Sequence, residues 1–570
     1  MFKKNDQHLQ TQMFSTIDSL PDNERERLEQ SWAGTFYREF FSRIDERVFS
    51  VLYADVASRP NVPVNIMIGL ETLKAGHGWS DEEMIDAYYF NLQVRHGLGL
   101  RNLGQQHFDV RTTYNFRQRL SQHMQETGEN LLEKAFEQVT GEQISAFGLK
   151  TSDIRMDSTY VASNIREFSR LQLLVEVLHR VHRMLSEIDQ ARYAEAFAPY
   201  MAGSSGQYVY HVRSKEGPGH IKRIGILMQQ LVSELADSYA DDQAYQILQR
   251  VFDEHFILEE SHARPRQGKE FPSQTLQSPD DPEATFRRKR GQKHTGYVAN
   301  VSETCHPDNE LQLAVKVQTA PNATDDPTLL EEAMPDMERL GVCKLCTDGG
   351  FNNRQTAQSA HDRGIEHIQT AIRGHSAKGL GLCQFQIEMS DAETPVAITC
   401  PFGQEVPIQS KTPGRFIAHF DATQCATCPL RDQCPSTLLK RWPKRALYFD
   451  MHNIEIARRR QRIASRGRPD RNVRAAVEST VRAIKHPFRQ GKLPVRGLFR
   501  VASMMLASTS MFNVRRIHRY LERKSPELTG SPASAVATMP FETPISLFLR
   551  QLWSRIRLPD SRSVPTSVPC

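Results

Sequence analysis

The spacing of three charged residues in the segment RAAVESTVRAIKHPF constrains this chain more than any other feature. Arg474, Glu478 and Lys485 stand so that Glu478 is four residues after the arginine and seven before the lysine. At 3.6 residues per turn a helix carries all three on one face. A carboxylate flanked by two cations is suited to holding a metal and a phosphate together, although the same spacing also describes a solvated face with i,i+4 ion pairs. Two upstream segments favour the first alternative. Asp157 closes an alternating run in SDIRMDST, and Asp348 closes a more apolar one in GVCKLCTDGGF. Each is expected to be a carboxylate at the C-terminal end of a strand.

Two carboxylates on strand ends and one on a helix predict a site for two divalent cations that prefer oxygen ligands, Mg²⁺ or Mn²⁺. A metal pair of that kind serves both the attacking and the leaving oxygen of a phosphorus. The chemistry implied by the residues is phosphodiester cleavage and transfer.

With these residues in place the chain resembles the DDE transposases of bacterial insertion sequences, in the branch with a cysteine-cluster insertion. The matching positions are Asp157 in MDST, Asp348 in TDGGFNN, and the R-x3-E-x6-K set Arg474, Glu478 and Lys485. The family often has a Tyr three residues before that Arg; here the position is Arg471, so the tyrosine's role is not carried over. The resemblance runs from about residue 35 to about residue 520. It implies an α/β fold with a ribonuclease-H-like mixed sheet, with Asp157, Asp348 and Glu478 as catalytic residues on two Mg²⁺ (or Mn²⁺) ions. Arg474 and Lys485 would hold phosphates or order Glu478. The implied partners are double-stranded DNA, at terminal inverted repeats and at a target, and further copies of the chain assembled on that DNA. The implied reaction is strand cleavage at the element ends followed by strand transfer. The alternatives are a host nuclease that cuts without joining and an inactive DNA-binding regulator.

Net charge is only +5 over 570 residues, so bulk charge says little about partners. Its distribution says more: from Lys440 to Arg519 there are 21 Lys or Arg and four acidic residues. The densest part holds Arg458, Arg459, Arg460 and Arg462, followed by Arg466, Arg468 and Arg471. A polyanion running past the Glu478 helix accounts for such a track, because phosphate contacts supply most sequence-independent affinity for DNA. No run of apolar residues is long enough to span a bilayer, and the first residues lack a signal-peptide core. A bacterial cytoplasmic, nucleoid-associated protein is expected, with no membrane partner.

Nine cysteines are present, and Cys400, Cys425, Cys428 and Cys434 are spaced C-x24-C-x2-C-x5-C. Four thiolates can close a tetrahedral shell, so a structural Zn²⁺ is expected, with redox chemistry or unligated thiols as alternatives. Pro429 and its turn residues favour a knuckle over the helix start that a thioredoxin-like site needs. Cys343 and Cys346 also form C-x-x-C, on the apolar run before Asp348, and are expected to be buried reduced thiols.

The pattern divides the chain into a polar leader (1–34), a helical N-terminal domain (35–149), a catalytic core (150–380), a cysteine-rich insertion (381–450), the core's C-terminal helices with the basic surface (451–520) and a mostly disordered tail (521–570). In the second of these, Pro63 opens a helix that Gly76 and Gly78 close, and Ser80 with Glu83 reads as a capping box. A helix from Thr112 or Thr113 presents Arg117 and Arg119, candidate contacts to DNA ends. The core carries a helical insertion at about 165–262, where Leu171, Leu174, Val175, Leu178, Val181, Leu185 and Ile188 form a stripe. A flexible loop is expected from His262 to Glu283. Beyond it Leu311, Leu313, Val315 and Val317 alternate as on a strand.

Overall fold

The computed structural model describes residues 1–10, 14–54, 60–259, 262–289, 291–369, 379–390, 394–412, 414–465 and 475–529. Met1–His518 form one compact unit.

Helices fill the first 150 residues, as the periodicity predicts. Helix α1 (Val64–His77) follows Pro63 and stops on Gly78, whose φ of 71° lies in the left-handed region that glycine enters without strain. A Cβ at Gly78 would also sit 2.0 Å from the Pro487 carbonyl oxygen. Helix α2 (Asp81–Phe90) opens with the expected reciprocal box between Ser80 and Glu83. Helix α3 (Val110–Thr127) begins two residues earlier than the sequence suggests, because Asp109 caps it. With α4 (Leu131–Ala146) these helices enclose a core of Phe36, Phe41, Leu70, Tyr88, Val94 and Leu120. The leader is more ordered than its polarity implies, since Asp22–Gln30 is helical and Ile17 is buried.

The insertion folds around its own core, with helices α5 (Arg170–Met184), α6 (Gly217–Glu234) and α7 (Gln243–His255). Leu171, Leu174, Val175, Leu178, Val181 and Leu185 all lie in that core, but Ile188 is exposed. Its stripe breaks because α5 ends at Met184 and Ser186 caps a new short helix, which resets the phase. The stretch 262–283 is also not a loose loop: His262–Pro265 forms a strand, and Leu276, Ser278 and Asp281 are buried. Asp281 accepts hydrogen bonds from Ser163 Oγ at 3.0 Å and from the Tyr297 hydroxyl.

The main sheet has six strands among the described residues. They are β1 (Asp153–Val161), β2 (Thr285–Lys289), β3 (Gln292–Thr304), β4 (Ala314–Pro321), β5 (Lys344–Thr347) and β6 (Glu366–Gln369). Strand β3 runs antiparallel to β1, β2 and β4, whereas β5 and β6 run parallel on the other side of β1. The sheet is therefore mixed, and across its centre the order is β4, β3, β1, β5, β6. Parallel pairing needs crossovers, supplied by α8 (Asp326–Arg339) between β4 and β5 and α9 (Arg354–Asp362) between β5 and β6. The β1 residues Ile154 and Met156 pack with Leu330, Met334 and Met337 of α8. Val315 joins that layer and Val317 the opposite one, against strict alternation, because a bulge opposite Ser302 and Glu303 adds a residue at Val315.

A second, antiparallel sheet occupies the cysteine-rich region: β7 (Gln386–Met389), β8 (Pro395–Thr399), β9 (Glu405–Thr412), β10 (Arg415–Asp421), β11 (Thr437–Leu438) and β12 (Lys444–Asp450). Ile398, Ala418, Phe420, Leu447 and Phe449 form its core with Ile454. Ile454 lies on α10 (Met451–Ser465), the helix that follows directly from β12. Helix α11 (Ala475–Lys485) packs on β1 and β3, and α12 (Leu498–Thr529) runs to the end of the described chain. Val481 and Ile484 of α11 and Val501 and Met505 of α12 pack with Ala299 and Val301 of β3. The tail segment SLFLRQLWSRI, expected to hold an amphipathic helix, lies outside the described residues.

Candidate active site

Strand alternation decides which β1 side chains meet α11. Ile154 and Met156 enter the α8 layer, so Arg155, Asp157 and Thr159 turn to the opposite face. There Lys485 Nζ donates to Thr159 Oγ1 at 3.2 Å and to the Tyr160 carbonyl at 2.5 Å. Burial lowers the Lys485 pKa, because it strips water from the charged ammonium. Val477, Val481 and Ile484 form the buried stripe of α11, which leaves Glu478 on its exposed side. Asp157, Glu478 and Lys485 line one cavity of about 550 Å³, with Ser158, Arg482 and His486 beside them.

Asp157 lies in the middle of β1 rather than at its expected C-terminal end, because pairing with β3 carries β1 on to Val161; Asp348, one residue beyond β5, reaches the same level by a different route. Strands β1 and β5 pair with Asp153 opposite Lys344, Ile154 opposite Leu345 and Arg155 opposite Cys346. Continuing that register by two residues sets Asp348 beside Asp157. The chain turns at once: the Gly350 amide donates to Asp348 Oδ1 at 2.6 Å, an Asx-type turn that fixes the carboxylate as the strand ends. Behind it Thr347 is buried, with its hydroxyl 2.7 Å from His367 Nε2 on β6. Burial and then the charge of Arg459 push the His367 pKa down to about 4, so an α10 guanidinium lies near the Asp348 strand.

Oxygen donors on these three elements suit Mg²⁺, which keeps several waters and takes one or two carboxylates, with substrate phosphates completing its shell. Among the described residues no three His, Cys, Asp or Glu side chains already stand as a closed ligand group.

The remaining predicted residues divide. Arg474 lies outside the described residues, so the face it was expected to share with Glu478 and Lys485 is described for the latter two alone. On α10, Arg458 and Arg462 are exposed and one turn apart, while Arg459 and Arg460 are half-buried. Arg117 does not fit its expected role. Its guanidinium donates to Glu71 at 2.7 Å and to Asp81 at 2.6 Å, so its charge is neutralised inside the helical region. Arg119 stacks 5.0 Å from the Tyr53 ring centre. Cys343 is exposed rather than buried, because β5 begins only at Lys344.

Cys400, Cys425, Cys428 and Cys434 line a single cavity of about 30 Å³ with Leu380, Phe385 and Phe420. Burial raises the Cys425 pKa, as do the other three cysteines. Neutral thiols have no reason to close into a shell, and no metal-ligand group of three is formed here among the described residues. The structure brings the four residues to one small cavity without forming a zinc shell.

Residues 399–518 match the model of a family described as the transposase DDE domain. That segment, 120 of the chain's 570 residues, is similar to transposase DDE domains. No curated protein and no solved structure matches it. The DDE-domain match takes in the four cysteines, Glu478 and Lys485 and ends at His518 in α12. Asp157 and Asp348 lie upstream of the matched segment and meet it through the sheet that α11 covers. Among the described residues no helix is long and apolar enough to cross a membrane.

Sequence reasoning missed Arg482 and His486 in the cavity wall, and a buried cluster of Arg155, Glu303, Thr480 and Arg516 behind it. Arg482 was legible as the residue one turn after Glu478. Glu303 was legible only as an acid inside the strand run GYVANVSETC, where burial predicts a partner.

Proposed function

We propose that the protein is the transposase of a bacterial insertion sequence, with a ribonuclease-H-like core, which cuts DNA at the element's ends and joins the freed 3′-hydroxyl to target DNA. The observation that carries this proposal is the meeting of Asp157 and Glu478 in one cavity, with Asp348 in register beside Asp157. The strand order β4, β3, β1, β5, β6, with only β3 reversed, supports the ribonuclease-H-like assignment.

Asp157, Asp348 and Glu478 would hold two Mg²⁺ or Mn²⁺ ions. Bound there, the metals would polarise the scissile phosphate and stabilise charge on its attacking and leaving oxygens. The chain's own side chains orient the substrate. Lys485, anchored on Thr159 and Tyr160, sets a held cation in the cavity wall, and exposed Arg482 adds a second. Arg458 and Arg462 extend the track along α10, where they would hold duplex phosphates without reading bases. On this view the protein works on chromosomal DNA in a bacterial cytoplasm, and copies of the chain pair the two element ends.

We propose also that Cys400, Cys425, Cys428 and Cys434 close round one structural Zn²⁺ once the metal displaces their protons. The convergence of all four on a cavity large enough for one small species supports this.

Incubating purified protein and Mg²⁺ with DNA that carries the element's ends and with a plasmid target tests the reaction. Nicked ends and joined products are expected from the wild type. Nicking without joined products would make the protein a nuclease. Binding with no cleavage would make it a regulator.

A further inference from the structure

We propose that Glu303, with Thr480, is a positioning device that sets the Glu478 helix against the strand of Asp157. This rests on the transposase reading above. Glu303 lies at the end of β3, opposite Arg155 of β1, and is completely buried. Its carboxylate gathers three elements. Arg155 Nε donates to Oε2 at 2.9 Å, Thr480 Oγ1 donates to the same oxygen at 2.9 Å, and Arg516 Nη1 of α12 donates to Oε1. Arg516 Nη2 also reaches Thr480 Oγ1 at 3.3 Å, and its Nη1 reaches the Gln312 carbonyl at 2.8 Å.

The placement of these groups favours a functional role over simple stability. Arg155 is two residues before Asp157 on the same strand face, and Thr480 is two residues after Glu478 on α11. One carboxylate therefore spans the strand and the helix that bring two of the proposed metal ligands to one cavity. A buried ion cluster is costly to desolvate and is a poor means of gaining stability over a packed apolar core. What such a cluster supplies is directional: each donor fits one oxygen at one angle, whereas the apolar contacts of Val477, Val481 and Ile484 would tolerate a slide of the helix. A displacement of about 1 Å at a reacting centre is enough to cost a hundred-fold in rate.

Removing Glu303 outright would take away the carboxylate shared by buried Arg155 and partly buried Arg516, and is expected to destabilise the whole fold. Thr480→Val is the informative variant, because it keeps the side-chain shape and both ion pairs and deletes the hydroxyl, with its bonds to Glu303 and Arg516 and its weaker one to the Ala476 carbonyl within α11. Full-length Thr480→Val should fold, bind DNA ends with wild-type Kd, and cleave about ten- to a hundred-fold more slowly at saturating DNA. Calorimetric titration with Mn²⁺ should show weakened binding, a readout independent of turnover. Thr480→Ser, which keeps the hydroxyl, should restore both. Wild-type cleavage and Mn²⁺ binding in Thr480→Val would overturn the inference, as would a defect that Thr480→Ser fails to rescue. A wild-type chain that neither binds Mn²⁺ nor cuts DNA would overturn the transposase reading and this inference together.

Discussion

The cavity at Asp157 and the pocket of the four cysteines differ in what they can admit. The one lined by Asp157, Glu478 and Lys485 is about 550 Å³, rimmed by Arg482 and His486. The one lined by Cys400, Cys425, Cys428 and Cys434 is about 30 Å³, walled by Leu380, Phe385 and Phe420. The first leaves space between hard oxygen ligands for a phosphate and water; the second has space for a single small species among soft ligands. Room for substrate is what separates a reactive metal site from a structural one. The larger cavity should therefore govern chemistry, and the smaller one the folding of the second sheet from which α10 emerges.

The largest effect that would break this contrast is a loss of chemistry without loss of fold. Asp157→Asn keeps volume and removes a charged ligand, so strand cleavage should fall to background while DNA-end binding and Tm stay near wild type. Cleavage by that variant at the wild-type rate would remove Asp157 from the site. The opposite signature is expected at the cysteines. Cys428→Ser should lose zinc, measured by elemental analysis against about one ion per wild-type chain, and should lower Tm. A wild-type chain free of zinc would leave the four residues as reduced thiols packed in an apolar pocket.

A smaller effect sharpens the contrast between DNA-facing and internal arginines. Replacing Arg458 and Arg462 by Ala should flatten the dependence of log Kd on log salt by about two, near 0.9 per lost phosphate contact. The loss should be equal on specific and unrelated duplexes, and a selective loss on the element ends would make these residues readers of bases.

Arg117→Ala should leave that slope unchanged and instead destabilise the helical region by on the order of 2 kcal/mol, through the loss of its bonds to Glu71 and Asp81. The same cluster predicts a pH effect. Burial opposes ionisation of Asp81, but Arg117 and Lys74 overcome it and pull the pKa down from 3.8 to about 2. A lowered carboxyl pKa contributes stability that is complete above 3.8 and lost as pH falls through about 2. Acid titration of Tm should therefore show a smaller loss over that window in Asp81→Asn than in wild type.

Legibility in the sequence followed the range of the interactions. Local signals were read correctly at the capping box of Ser80, the glycine stop at Gly78 and the helical spacing of Glu478 and Lys485, whereas the strand of Asp157 was found but ended four residues too early, since it runs on to Val161. Each depends on residues a few positions apart. The second sheet was missed, although RFIAHFD and KRALYFD both become strands, because the cysteine spacing drew attention to a knuckle and the pairing partners lie far apart in sequence. Arg117 was misassigned for a related reason. A cation on a helix face looks the same in sequence whether it meets DNA or Glu71, which lies 46 residues away. Glu303 shows the limit most sharply, since its partners Arg155, Thr480 and Arg516 come from separate elements that only the fold assembles.

The central claim is that Asp157, Asp348 and Glu478 share one metal site. The most direct measurement is metal rescue of cysteine variants, because a thiolate ligates Mn²⁺ or Cd²⁺ far better than Mg²⁺. Asp157→Cys, Asp348→Cys and Glu478→Cys should each be inactive in strand cleavage with Mg²⁺, and each should regain activity when Mn²⁺ or Cd²⁺ replaces it. Wild-type cleavage in Mg²⁺ by any one of the three would contradict the shared site.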